Sequence, residues 1–107
     1  MWGIVAQDRD EPVYELSTEI TPPRVIRQVN PEYSPGSRGV RLSGSVEVET
    51  VVSSHGQVTN TRVVKSLDKD VDADVVKAVR QWLFDPARKQ KKAVAVRVVI
   101  EVEFHPM

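Results

Sequence analysis

From Gly44 onward the apolar residues recur with a period of two. In "SVEVETVV", Val46, Val48, Thr50 and Val52 fall on one face, with Ser45, Glu47 and Glu49 on the other. That alternation predicts a half-buried strand. "SSHG" then breaks the pattern, and Gly56 supplies the positive φ of a hairpin turn. "QVTNTRVVKS" returns as a second strand whose phase slips between Val58, Thr61 and Val63, which predicts a bulge. The period changes again in "LDKDVDADVVKAVRQWLF". Val71, Val75, Val79 and Trp82 are spaced by four and three, with Val76, Ala78 and Leu83 beside them, as on a helix with one apolar face. Asp72 is the expected N-cap, with Val71 and Val76 as a hydrophobic staple. Asp74 in the first turn and Arg80 near the end suit the helix dipole. Asp85-Pro86 is the expected stop. "ARKQKK" reads as a solvated loop. In "AVAVRVVIEVEF", Val94, Val96, Val98, Ile100, Val102 and Phe104 share one face, opposite Ala95, Arg97, Val99, Glu101 and Glu103.

Before Gly44 the pattern is weak. Residues 1–12 are mixed and polar and read as mostly disordered. "VYEL" predicts a short strand with Tyr14 and Leu16 on one face. Pro22, Pro23, Pro31 and Pro35 then exclude a long regular element. The chain is expected to run extended over the surface, pinned by Val25, Ile26, Val29 and Tyr33, with a short helix over about 35–40 capped by Ser34. The division expected is a flexible or extended segment over 1–22 and one domain over 23–107.

Together these elements give an α+β domain, β-β-α-β. Its three-stranded antiparallel sheet has the order 2-1-3 and packs on one long helix, with a short N-terminal helix besides. Valines of the sheet and the helix share the core, and Trp82 and Phe84 close its end.

Composition narrows the function. The 107 residues suit one domain. Fifteen basic residues balance fifteen acidic ones, so nothing general draws the chain to nucleic acid. Absence of cysteine removes disulfides and thiolate chemistry. No apolar run approaches the roughly 20 residues of a membrane helix. No catalytic set emerges, so the chain does not read as an enzyme. His55 and His105 are isolated in sequence, and the carboxylates of "LDKDVDAD" lack calcium-loop spacing and suit capping instead. No cofactor is expected. The basic stretch Arg88, Lys89, Lys91, Lys92 has no interleaved aromatic residue to stack a base.

One feature asks for a use. Three strands leave two open edges. A last strand that is outermost presents a long, proline-free edge. Such an edge is used for strand addition by a partner peptide. Otherwise it is guarded, here by Arg97, Glu101 and Glu103 or by the N-terminal segment. Physics alone leaves both open.

The stretch from "PRVIRQVNPEYSPG" to "AVAVRVVIEVEF", about residues 23 to 104, resembles the C-terminal domain of TonB-type energy transducers. The residues carrying the resemblance are Pro31 and Tyr33, Gly44, Gly56, Ser66, Asp72, Trp82, Phe84, Pro86 and Phe104. As a set, Trp82, Phe84 and Pro86 after a hairpin and helix are the most specific part. The chain departs from the family pattern at Ser34, at the turn "SSHG" and at "QKKAV". The resemblance implies a periplasmic domain, tethered to the inner membrane in the full-length protein and powered by an ExbB–ExbD proton-driven motor. It implies a partner, the "TonB box" peptide of an outer-membrane transporter, added beside the last strand at Val94, Ala95, Val96, Arg97, Val98, Val99, Ile100 and Glu101, near Asn30 and Tyr33. The competing reading is a structural or sensory module of the same fold, its edge covered by its own chain or paired in a homodimer. An RNA-binding β-β-α-β domain comes third.

Overall fold

The computed structural model describes residues 11–106. The disorder expected at the N-terminus lies outside them, apart from Glu11 and Pro12. The elements run β1 (Val13–Glu15), β2 (Ile20–Thr21), β3 (Arg24–Arg27), α1 (Pro35–Arg38), β4 (Gly44–Val52), β5 (Val58–Lys65), α2 (Lys69–Val79), β6 (Leu83–Asp85), β7 (Ala87–Lys89) and β8 (Lys92–Phe104).

Three of these form the expected antiparallel core, ordered β5-β4-β8. β4 pairs with β8 without a break from Gly44↔Phe104 to Val52↔Val96. That register places Val46, Val48 and Val52 beside Val96, Ile100 and Phe104 in one core with Val71, Val75 and Val79 of α2. All of these valines are fully buried. Thr50, on the same face, satisfies its hydroxyl by donating to the carbonyl of Thr59 at 2.7 Å. The slip foreseen in β5 appears as two register shifts, with Asn60 at φ 49°.

The three-stranded sheet needs correction. β7, β2 and β1 extend it to six strands: β7 lies beside β8, β2 beside β7, and β1 runs parallel to β8. β3 and β6 form a separate two-stranded ribbon. The expected basic loop is therefore a hairpin. Gln90 and Lys91 turn it with φ of 52° and 69°, a mirror-image turn that matches strand twist without glycine. β1 is the short strand expected at "VYEL", while β2 and β7 carry too little apolar alternation to show in the sequence. β1 and β7 pair with main-chain groups of β8, and β2 pairs with β7 in turn.

The helix also differs at both ends. Asp68, not Asp72, is the N-cap, accepting from the N–H groups of Asp70 at 2.9 Å and Val71 at 3.2 Å. Asp72 reaches back instead, accepting from the N–H of Leu67 at 3.0 Å and from the Ser66 hydroxyl. The two aspartates thus satisfy the helix start reciprocally. Val71 lies inside the helix, so the Val71–Val76 staple does not form. Asp74 is past the first turn. At the other end, α2 stops at Val79, well before Asp85-Pro86. The N–H groups of Gln81 and Trp82 close the last turn on the carbonyls of Ala78 and Val79, each at 3.0 Å. Leu83–Asp85 is then drawn into the ribbon with β3.

That ribbon explains Gly56. The Phe84 N–H donates to the Gly56 carbonyl at 2.9 Å, and a Cβ on Gly56 would meet the Phe84 carbonyl oxygen at 1.9 Å. Gly56 also sits at φ +80°. Both the turn and the close approach exclude any larger residue.

Candidate functional site

The N-terminal third of the domain shapes one side of a groove beside β8. Val25 and Ile26 do not pin it, being 47% and 68% exposed. Val29 and Tyr33 do pack against the core. Trp82 holds the stretch from the helix side, its indole Nε1–H donating to the Val29 carbonyl at 2.8 Å. The Tyr33 ring meets Phe104 edge-on, with centroids 5.1 Å apart at 80°.

Next, α1 is tied to α2. Asp74 accepts from the Ser34 N–H at 2.9 Å, the Ser34 hydroxyl at 3.0 Å and the Ser37 hydroxyl at 2.5 Å. Ser37 is fully buried, so its hydroxyl needs this partner. Burial raises the Asp74 pKa, but the Ser37 and Ser34 hydrogen bonds and the Lys77 charge outweigh it, and the net shift is downward. Tyr33 shifts up, mainly through burial and secondarily through the Asp74 charge, so its phenol stays neutral. As expected, Ser34 caps α1 with Pro35 behind it.

Facing this wall is the outer edge of β8. Lys89 and Lys92 flank the two-residue turn and pair across it. Residues so placed exchange main-chain hydrogen bonds, and the groups alternate sides along the strand. The N–H and C=O groups of Val94 and Val96 therefore point toward β7 and β1. Those of Val98, Ile100 and Val102 point to the same side further along.

There the edge divides. Val94 pairs with Ala87, and Ala95, Val96 and Arg97 pair with Val13, Tyr14 and Glu15. These four residues, expected to be available, already have a neighbour on the outer side, and Val96 and Arg97 are paired with Val52 and Val51 of β4 as well. Among the described residues no strand pairs with Val98–Phe104 on the outer side. Val98, Val99, Ile100 and Glu101 thus lie on the open half. Asn30 and Tyr33 sit across from it. A groove of about 360 Å³ runs between, lined among others by Gln28, Asn30, Tyr33, Trp82, Glu101 and Glu103.

Sequence reading missed Gln28, Trp82, Val102 and Glu103 as groove residues. For Trp82 a signal existed: a buried indole needs an acceptor, and only an irregular neighbouring segment has carbonyls to spare. The histidines do not converge into a metal site; among the described residues no three metal-ligating side chains cluster. Among the same residues no helix is long and apolar enough to cross a membrane.

The family model described as "Gram-negative bacterial TonB protein C-terminal" matches residues 29–106, covering both walls of the groove, the core sheet and α2. The chain belongs to the TonB C-terminal family. Among curated relatives, Protein TonB of Xanthomonas campestris pv. campestris (strain B100) is 32% identical over 75 residues, 69% of this chain and 34% of that protein. Protein TonB of Klebsiella pneumoniae is 28% identical over 67 residues, 62% of this chain and 28% of that protein. The chain therefore spans about a third of the length of these TonB relatives. Its fold is similar to the solution NMR structure of Pseudomonas aeruginosa TonB CTD, with TM-score 0.58 and 22% identity over 87% of this chain and 95% of that one.

Proposed function

We propose that this domain works in a TonB-type energy transducer, as the periplasmic part that takes hold of outer-membrane transporters. It binds the transporter's TonB box by adding that peptide as a strand along β8. It is not an enzyme. The transporter side is pulled through a longer protein, whose N-terminal part is tethered to the inner membrane and driven by an ExbB–ExbD motor.

One observation carries this reading. A sheet edge over Val98–Phe104 that no strand pairs with among the described residues lies beside a groove whose far wall is held in place by Trp82 and Asp74. Main-chain pairing reads little side-chain identity, so one domain can serve several transporters. Each hydrogen bond contributes about 1 kcal/mol net, so a few give reversible binding. A load along the strand is shared by the rungs, so a modest contact can transmit force while it lasts.

The test is a titration of the 15N-labelled protein with a seven-residue TonB-box peptide. Signals of Val98, Ile100 and Val102 should shift and their amides become protected from exchange. Val98→Pro removes an outward N–H and leaves the ladder to β4 intact. Binding should then weaken about tenfold or more, since each lost rung and its disturbed neighbour cost about 1 kcal/mol apiece. Unchanged affinity in a folded Val98→Pro protein rules out this edge.

A further inference from the structure

The closed half of the same edge differs from the open half in what closes it. β7 is joined to β8 by a two-residue turn and cannot leave without unmaking the hairpin. β1 is only three residues long and reaches β8 from the N-terminal side of the chain. It runs parallel to β8, in the less stable of the two pairing modes.

The contacts of β1 lie at the surface. Glu15 pairs with Arg97, its register partner, and the two side chains are 70% and 39% exposed. The Lys89 ammonium sits 4.9 Å from the Tyr14 ring centroid. Glu11, just before the strand, accepts from the Ser54 N–H at 3.2 Å. Val13 is itself 37% exposed, and of the three residues only Tyr14 packs against the core. Exposed ion pairs add little, and segments with few buried contacts open first.

We propose that β1 is a removable guard strand that occupies Ala95–Arg97 until a longer visiting peptide displaces it. This rests on the strand-addition reading above. A peptide first pairs along Val98–Phe104, where nothing need move. If it is long enough, it then extends over the stretch that β1 gives up. The guard sets how much of β8 a partner can use, and so favours partners with a long extended segment over short chance matches. The leaving of β1 also strains the hydrogen bond that Glu11, just ahead of it, accepts from the Ser54 N–H. A guard in place nine-tenths of the time weakens extension by about tenfold.

A reversible lock tests this. The chain has no cysteine, so Glu15→Cys combined with Arg97→Cys gives a single disulfide across a register pair. Two probes are titrated against the oxidised and reduced forms of that one variant. One is the seven-residue TonB-box peptide, and the other is the same peptide lengthened by three native residues at each end. The short peptide should bind both forms equally, and the long one should bind the reduced form about tenfold more tightly. Equal affinity of the long peptide for both forms, with the short peptide binding, overturns the guard. If neither form binds the short peptide, strand addition itself is wrong and the guard goes with it. In the wild-type protein, the long peptide but not the short one should move the amide signals of Val13–Glu15 to unstructured positions. Signals that stay in place while the long peptide binds overturn the guard independently of the lock.

Discussion

Two of the attachments that hold the stretch ahead of the β4–β5 hairpin to the domain differ in kind. At Val29–Ser37 the partners are buried or half-buried. An indole N–H meets a main-chain carbonyl, an aromatic pair stacks edge to face, and one carboxylate gathers an N–H and two hydroxyls. At Val13–Glu15 the partners are an exposed ion pair, an ammonium over a ring, and three rungs of parallel sheet. Removing a partner in the first set strands a polar group away from water, while removing one in the second leaves water to replace it. So one wall of the groove is built to stay, and the strand beside it is not. A binding edge with a fixed far wall and a yielding near end accepts a peptide without remaking the core.

The comparison can be broken most severely at Trp82. Trp82→Ala removes a buried ring and the donor to Val29, and should cost about 3–5 kcal/mol, read as a fall in the urea midpoint. It should also abolish peptide binding by releasing the groove wall. Asp74→Ala comes next, at about 1–3 kcal/mol, because the Ser34 N–H and the buried Ser37 hydroxyl lose their acceptor.

Asp74 also predicts a pH dependence. Its pKa is lowered in the folded state. Its contribution is therefore complete above the ordinary carboxylate value of about 4 and is lost as pH falls through the folded value. Wild type should lose stability faster than Asp74→Asn between about pH 4 and pH 2, measured by thermal melts across that range. Parallel curves for the two proteins would show that the carboxylate is not held as described.

Glu15→Ala should have the smallest effect, under about 1 kcal/mol on global stability. Its influence belongs instead to hydrogen exchange, where β1 amides should speed up and those of Val29–Ser37 should not. If Glu15→Ala destabilised the fold as much as Asp74→Ala, the two attachments would be alike and the contrast drawn between them would fail.

Much of this was legible in the chain. The alternation in Val46–Val52 and Val94–Phe104, and the fours and threes of Val71, Val75 and Val79, specify strand, strand and helix because each burial face repeats over many residues. Gly56 and the Ser34-Pro35 pair announce a turn and a helix start through local backbone chemistry. Of the residues that mark the family, Trp82 holds the segment that walls the groove and Phe84 meets the Gly56 turn.

Other things were not legible locally. Which aspartate caps α2 was decided by where Ser66 and Leu67 leave β5, so the sequence pattern alone favoured the wrong one. The helix ends at Val79 because Phe84 is claimed by Gly56 and Leu83 by β3, contacts that no window around Pro86 contains. The strand at Ala87–Lys89 forms against β8, and the one at Ile20–Thr21 forms against Ala87–Lys89 in turn, so neither shows in its own few residues, whereas "VYEL" did announce the strand at Val13–Glu15. A residue sequence determines which faces are apolar, since that is a property of the side chains themselves. Which backbone edge remains vacant is settled only when distant segments compete for the same hydrogen-bonding groups, and among the described residues that competition left Val98–Phe104 open.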